Sequence, residues 1–328
     1  MKYFLLLNLL IWTSFSFAQT DLQLVNIGDF TTTDGNVIKD CKVGYKTVGK
    51  LNPDKNNVVL IPTWFGESSE NIVSSGALYN VLDTTGLYVI IVDALTAGIS
   101  SSPSITANFP KVSIRDMVNS QHDLLVNHLK IDHVYAVMSF SMGAMQTFEW
   151  LVAYPEFMDK AIPMLGTPKQ SFYDILLWQT QADLINEAGI DEEDINLAMK
   201  RAYDIFNINI RTPSFFVSTK SLDSLDVYKN EIHSNMISSK DYLAQVNAMI
   251  QHDIYKSSKS NPDTIKNVVK ADVLIIINLH DHAVNPTSSI AFSKVLGCRL
   301  VELTSDYGHT SFFYESKKVK KAVSDFLE

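Results

Sequence analysis

Six short apolar runs, separated by stretches of helical periodicity, limit the folds open to this sequence more than any other feature. They are "NVVLIPTW", "YVIIVDAL", "HVYAVMSF", "KAIPMLGT", "ADVLIIINLHD" and "RLVELTSDYGH". Most are apolar at consecutive rather than alternate positions, the pattern of a strand covered on both faces. Between them, "SSENIVSSGALYNVL", "SIRDMVNSQHDLLVNHLKI", "GAMQTFEWLVAY" and "TSSIAFSKVLG" carry helical spacing. Ser113 is placed to cap the second of these, with Asp116 three residues on. Alternation of this kind predicts an α/β fold with a mostly parallel central sheet and helices on both faces. An antiparallel strand pair is expected before it, in "LQLVNIGDFTTTDGNVIKDCKVGYKTVGKLN". Strand signals then lapse between about 168 and 270, where "FYDILLWQTQADLINEAG", "EEDINLAMKRAYDIFN" and "SKDYLAQVNAMIQHDIY" look helical. This stretch reads as a helical cap inserted over the sheet.

The first residues follow a different plan. "MKYFLLLNLLIWTSFSFAQ" opens with a Lys at 2, continues with an apolar stretch, and has small residues at Ser16 and Ala18. That is the layout of a secretory signal peptide cleaved near Ala18, so residues 1–18 are read as a leader and 19–328 as the folded domain. An exported location, periplasmic or secreted, follows. No later stretch is apolar for the ~18 residues a span requires, so no stable membrane span is expected after cleavage. The formal charge of −9 and the single basic cluster, Lys317-Lys318 with Lys320-Lys321, argue against a nucleic-acid partner. Cys41 and Cys298 are the only cysteines. They fall on strands expected toward opposite edges of the sheet, too far apart for a disulfide.

Three acid–base residues lie just past the ends of predicted strands: Ser141 after "HVYAVMSF", Asp281 after "VLIIINLH" and His309 after "LVELTSDYG". That edge is where open parallel sheets build their sites. The chain order Ser, Asp, His is the order of α/β-hydrolases. A serine hydroxyl needs a base to take its proton, and an imidazole titrates in the right range to serve. A carboxylate would fix the imidazole's tautomer and stabilise its cation. Ser139 and Gly143 are small enough to allow a sharp strand-to-helix turn around Ser141. An oxyanion needs donors; the N–H of Met142, at a helix start, is the natural first one, and the second is expected from Trp64 or Phe65 in "PTWFGE". A rival metal site at His280-Asp281-His282 lacks an evident third ligand.

The stretches "FPKVSIRDMVNSQHDLLVNHLKI" and "SMGAMQTFEWLVAYPEFMDKAI" resemble the homoserine O-acetyltransferase family of α/β-hydrolase-fold enzymes. That family carries "[ST]-I-R-D-M-V-x-x-Q" before a "G-G-S-M-G-G-M-Q" turn. "VGYKTVGKLN", "GISSSPS" and "YGHTSFF" match as well, so the resemblance runs from about 25 to 165 and from 270 to 328. It implies a Ser141–Asp281–His309 triad, a covalent acyl-enzyme and acetyl transfer from acetyl-CoA to a small alcohol. The chain departs from the family in four ways. The family's Asp after the catalytic His is Thr310 here, which carries no charge for an ammonium group. The family's cap Arg, a ligand for the substrate carboxylate, is matched only by Arg201 in "NLAMKR". Ser139, Phe140 and Ala144 replace glycines around the nucleophile, and Phe140 narrows the space there. A leader would also remove the protein from cytoplasmic acetyl-CoA.

Thr310 and export favour water as the acceptor, hence hydrolysis of a small acyl ester or thioester. The alternatives are an O-acetyltransferase acting on homoserine or another small alcohol, and a non-catalytic binding protein on the same fold. Acetyl-CoA enters only as cosubstrate of the transferase reading; no other cofactor and no metal is expected. The oligomeric state is left open, a homodimer included.

Overall fold

The six apolar runs and the N-terminal pair form one eight-stranded sheet. The computed structural model describes residues 21–328; the leader expected over 1–18 lies outside the described residues. The strands are β1 (Gln23–Thr31), β2 (Val37–Gly49), β3 (Val58–Pro62), β4 (Tyr88–Val92), β5 (Val134–Phe140), β6 (Met158–Met164), β7 (Asp272–Asn278) and β8 (Arg299–Leu303). Their order across the sheet is β1-β2-β4-β3-β5-β6-β7-β8. β1 pairs antiparallel with β2, and β2 antiparallel with β4; every later pairing is parallel.

Consecutive apolar residues are needed because both faces are covered. Val58, Leu60, Ile90, Val92 and Val137 point to one side, where Phe148, Trp150 and Phe292 of the helices Met142–Ala153 and Thr287–Leu296 pack on them. Val59, Ile61, Val89, Ile91 and Met138 point to the other, under Leu78, Val319 and Val323. Each buried aliphatic side chain contributes roughly 1.5–3 kcal/mol of transfer free energy.

Two helices differ from the sequence reading. The stretch expected as one helix over 68–82 is two, Ser69–Ser74 and Ala77–Val81, because Gly76 between them takes φ 77°. The helix Ile114–Asp123 begins with the expected cap, in which the Ser113 hydroxyl accepts from the Asp116 N–H and the Asp116 carboxylate accepts from Ser113. Its end widens over Leu124–His128, where the Leu129 N–H reaches back to Leu124 O at 3.0 Å.

Between β6 and β7 the chain leaves the sheet and forms helices that include Phe172–Glu187, Glu192–Asn209, Pro213–Thr219, Leu225–Ser234 and Ser239–Ile250. A bridge between Lys169 and Asp253 closes the base of this cap. Trp178, Met199, Tyr242 and Met249 of the cap pack with Met142 and Met145, so the cap sits directly over the start of the Met142–Ala153 helix. Both cysteines are free, Cys41 on β2 and Cys298 just before β8, with five strands between them in the sheet. Burial pushes the Cys41 thiol up to about 12 and Cys298 to about 11. Among the described residues no helix is long and apolar enough to cross a membrane.

Candidate active site

Ser141 occupies a sharp turn between β5 and the helix Met142–Ala153, with φ 55° and ψ −125°. A non-glycine residue at positive φ is strained, at a cost of order 1–3 kcal/mol, and the surroundings must hold it there. They do so from both sides. The Ser141 N–H donates to Met164 O at 3.0 Å, and the Met145 N–H donates to Ser141 O at 3.0 Å. Gly143 lets the helix reach the strand: a Cβ there would lie 2.1 Å from Ser139 Oγ and 2.6 Å from Pro62 O. Gly166 does the same on the β6 side, where a Cβ would lie 2.5 Å from Ala144 Cβ.

The turn is buttressed by the motif residues of the preceding helix. Gln121 donates to Gln146 Oε1 (2.6 Å) and accepts from the Trp150 indole N–H (2.9 Å), while Gln146 donates to Thr63 O (2.9 Å). Arg115 forms an ion pair with buried Glu149. The motifs that are distant in sequence therefore meet as one bonded layer beneath the turn.

Ser141, His309 and Asp281 come together as the sequence anticipates. The Ser141 hydroxyl is 2.8 Å from His309 Nε2, and His309 Nδ1 is 2.7 Å from Asp281 Oδ2. A carboxylate oxygen accepts, so in the bond to Asp281 it is Nδ1 that carries the imidazole proton, and Nε2 is free to accept from the serine. All three residues are buried. Asp281 is held by its other oxygen, which accepts from the Ala283 and Val284 N–H groups, both at 2.9 Å.

Asn278 was not anticipated and ties the two loops together. Its amide donates to Ser305 O (3.0 Å) and Gly308 O (2.9 Å), and its oxygen accepts from the His280 N–H (2.9 Å). It looks like the ordinary last residue of an apolar strand; only its complete burial exposes its role. Asp174, from the cap, accepts from the Asn285 N–H at 2.8 Å and so fastens the Asp281 loop to the cap. Burial raises Asp174 above the usual carboxylate range, and the charge of Asp281 adds to the push.

The oxyanion candidates are Met142 beside Ser141 and two residues of the loop after β3. Met142 opens its helix beside Ser141, and among the described residues nothing takes its N–H or that of Trp64. The rings of the two loop candidates diverge. Trp64 packs edge-on against Phe140 (5.5 Å between centroids), whereas Phe65 packs among Trp178, Phe206 and Tyr242 of the cap. Next along, the Gly66 N–H donates to Gln245 Oε1 of the cap at 2.9 Å, which fixes the loop.

Thr310 lies beside His309 with its hydroxyl donated to Tyr307 O (2.8 Å). Arg201 is exposed on the helix Glu192–Asn209, and among the described residues no ion pair or hydrogen bond directs it inward, so its reading as a substrate ligand gains no geometric support. The cap residue whose backbone meets the His309 loop is Arg211. A Cβ on Gly308 would lie 3.1 Å from Arg211 Cα, the guanidinium sits over Phe215 (5.1 Å), and its Nε is buried with no partner among the described residues. No sequence signal separates Arg211 from Arg201; ten residues apart, they differ only in which way the cap turns.

A family model described as alpha/beta hydrolase fold matches residues 56–316. A probable esterase of Corynebacterium glutamicum is 35% identical over 170 residues, 49% of each chain, so the match spans about half the length of that relative. A homoserine O-acetyltransferase of Methanohalophilus mahii is 25% identical over an alignment covering 91% of this chain and 70% of its own. The solved structure of an acetylester hydrolase from Corynebacterium glutamicum superposes with a TM-score of 0.83 at 24% identity, covering 92% of this chain and 95% of the other. With a mostly parallel sheet, a sharp strand-to-helix turn after β5 and a family match over most of its length, the chain belongs to the alpha/beta hydrolase fold family.

Proposed function

We propose that this protein is an exported serine acyl hydrolase that cleaves small acyl esters through an acyl-enzyme. The observation that carries this reading is the hydrogen-bonded chain from Ser141 through His309 to Asp281, with Ser141 held at φ 55° in the turn. In the first half-reaction Ser141 Oγ attacks the acyl carbonyl while His309 Nε2 takes its proton. The carbonyl oxygen becomes an oxyanion facing the Met142 N–H and a second N–H from Trp64 or Phe65. The alcohol then leaves with the proton from His309. In the second half-reaction water replaces the alcohol: its oxygen attacks the acyl carbon as His309 takes its proton, the bond to Ser141 Oγ breaks as His309 returns that proton to Oγ, and a carboxylic acid departs. Asp281 steadies the imidazolium in both halves. The esterase names among the relatives support the same chemistry, and the leader-like residues 1–18 support export.

Arg211 favours a second reading, in which the acyl group passes from acetyl-CoA to a small alcohol bearing a carboxylate. Its backbone packs against Gly308 of the His309 loop and its buried Nε has no partner among the described residues, which supports a carboxylate-bearing acceptor near this part of the cap. Against an amino-acid acceptor stands Thr310, which offers no negative charge to an ammonium.

Hydrolysis of p-nitrophenyl acetate by the wild type and by Ser141→Ala tests the first reading. Loss of about 10³-fold or more in kcat is expected on removing the nucleophile; acyl release that survives the substitution would sink both enzyme readings. Acetyl-CoA with homoserine, followed by free thiol and O-acetyl product, separates them. Transfer exceeding hydrolysis would reverse the preference for water.

A further inference from the structure

Behind the nucleophile turn lies a cavity of about 20 Å³, walled by residues that include Ile61, Trp64, Ile72, Leu78 and Met138. It has room for about one water molecule, but its wall is apolar apart from Ser139, whose hydroxyl is already donated to Pro62 O at 2.6 Å. Phe140 forms part of the wall between this cavity and the catalytic residues. It is the residue immediately before Ser141, it is 5% exposed, and its ring centroid is 4.8 Å from the imidazole of His309. The ring is also 4.0 Å from Phe312 and edge-on to Trp64. The side chain is therefore fixed on several sides and cannot swing away for a long substituent.

We infer that Phe140 sets the upper length of the acyl chain, so that the site takes short acyl groups and the Phe140 ring bars them from the cavity behind it. This deepens the acyl-transfer reading and rests on it. The carbonyl oxygen must face the N–H groups of Met142 and of Trp64 or Phe65, which turns the acyl substituent toward the packed Trp64 and Phe140 rings. The alcohol must leave on the side of His309 Nε2 and the cap, where Gly308 meets Ile210 and Arg211. A wall at Phe140 thus screens the acyl part of the ester and leaves the alcohol part untouched. Removing the six ring carbons would join the cavity to the site and make room for several methylenes.

Two ester series test this. In p-nitrophenyl acetate, butyrate and hexanoate only the acyl chain varies; in methyl, butyl and hexyl acetate only the alcohol does. Because a single methylene in a fitted pocket changes kcat/KM by roughly 10–200-fold, Phe140→Ala should raise the hexanoate-to-acetate ratio by about 100-fold. Phe140→Leu should raise it by a smaller amount, and Leu78→Phe added to Phe140→Ala should refill the cavity and reverse the gain. The acetate-alcohol series should keep its wild-type order in every variant. An unchanged hexanoate-to-acetate ratio overturns the inference, as does a shift confined to the alcohol series. If Phe140→Ala does not fold, Phe140→Leu decides by the same criterion. Failure of the acyl-transfer reading is distinguishable, because it would appear as acetate hydrolysis that Ser141→Ala does not touch.

Discussion

Single side chains and single missing side chains decide whether the turn at Ser141 can form. Ser141 holds a backbone conformation that costs energy, and the helix after it runs closer to β3 and β5 than a Cβ at position 143 would allow. Gly143→Ala would drive a methyl group into Ser139 Oγ and the Pro62 carbonyl. Overpacking of this kind costs about 1–3 kcal/mol. Urea denaturation should show that loss, and esterase activity should fall with it because Ser141 and Met142 must shift. A variant with wild-type stability and activity would show that the turn has slack the geometry denies. Position 143 was legible in the sequence, since a small residue two after the serine is part of the turn's signature. Phe140 was legible only as a departure from that signature; its contacts with His309, Trp64 and Phe312 needed the fold.

Strands and loops bring Ser141, Asp281 and His309 together, and only half of that arrangement is legible in local sequence. The ends of β5, β7 and β8 could be read from apolar runs, which placed Ser141, Asp281 and His309 on one edge. The device that sets the spacing between the last two could not. Asn278 holds the Asp281 and His309 loops through two amide hydrogen bonds to backbone carbonyls. Asn278→Ala would leave Ser305 O and Gly308 O unpaired, at roughly 1–3 kcal/mol for each buried group. We expect kcat for a short ester to fall by about tenfold or more while KM changes little, because His309 loses its register but the acyl pocket does not. A change confined to KM, or to stability alone, would remove Asn278 from the positioning of the base. The signal that might have flagged it, one polar residue closing an otherwise apolar strand, is shared by many strand ends.

At the scale of the whole molecule, the cap is joined to the sheet domain by a few buried polar residues, and they make stability depend on pH. His252 is fully enclosed at the cap's return; its Nε2–H donates to Thr167 O at 3.0 Å, and the Glu149 carboxylate is 3.8 Å from Nδ1. Burial lowers its pKa, outweighing the attraction of Glu149. The unfolded chain, with an ordinary histidine near 6.5, binds this proton more readily than the folded one. Stability from His252 is therefore complete above the unfolded value and declines as the pH falls from about 6.5 toward the lowered folded value. Denaturant titrations at pH 8 and pH 5.5 should show a loss on acidification that His252→Gln reduces. An equal loss in both proteins would place the acid sensitivity elsewhere.

The sequence by itself determined the α/β class, the strand order along the chain, the interruption by a helical segment and the three residues of the hydrogen-bonded triad. These are written in local patterns: consecutive apolar residues where a strand is covered twice, helical spacing where one face is covered, and a polar residue where each strand stops. The tertiary structure alone decided which cap residues approach the site, packing the backbone of Arg211 against Gly308 while Arg201 stays exposed, and which loop ring faces Phe140, choosing Trp64 over Phe65. It also decided the roles of Asn278 and Phe140. The reason is the same in each case. Direction across a cap or between two loops depends on packing among residues far apart in the chain, and no periodicity within a single element encodes it.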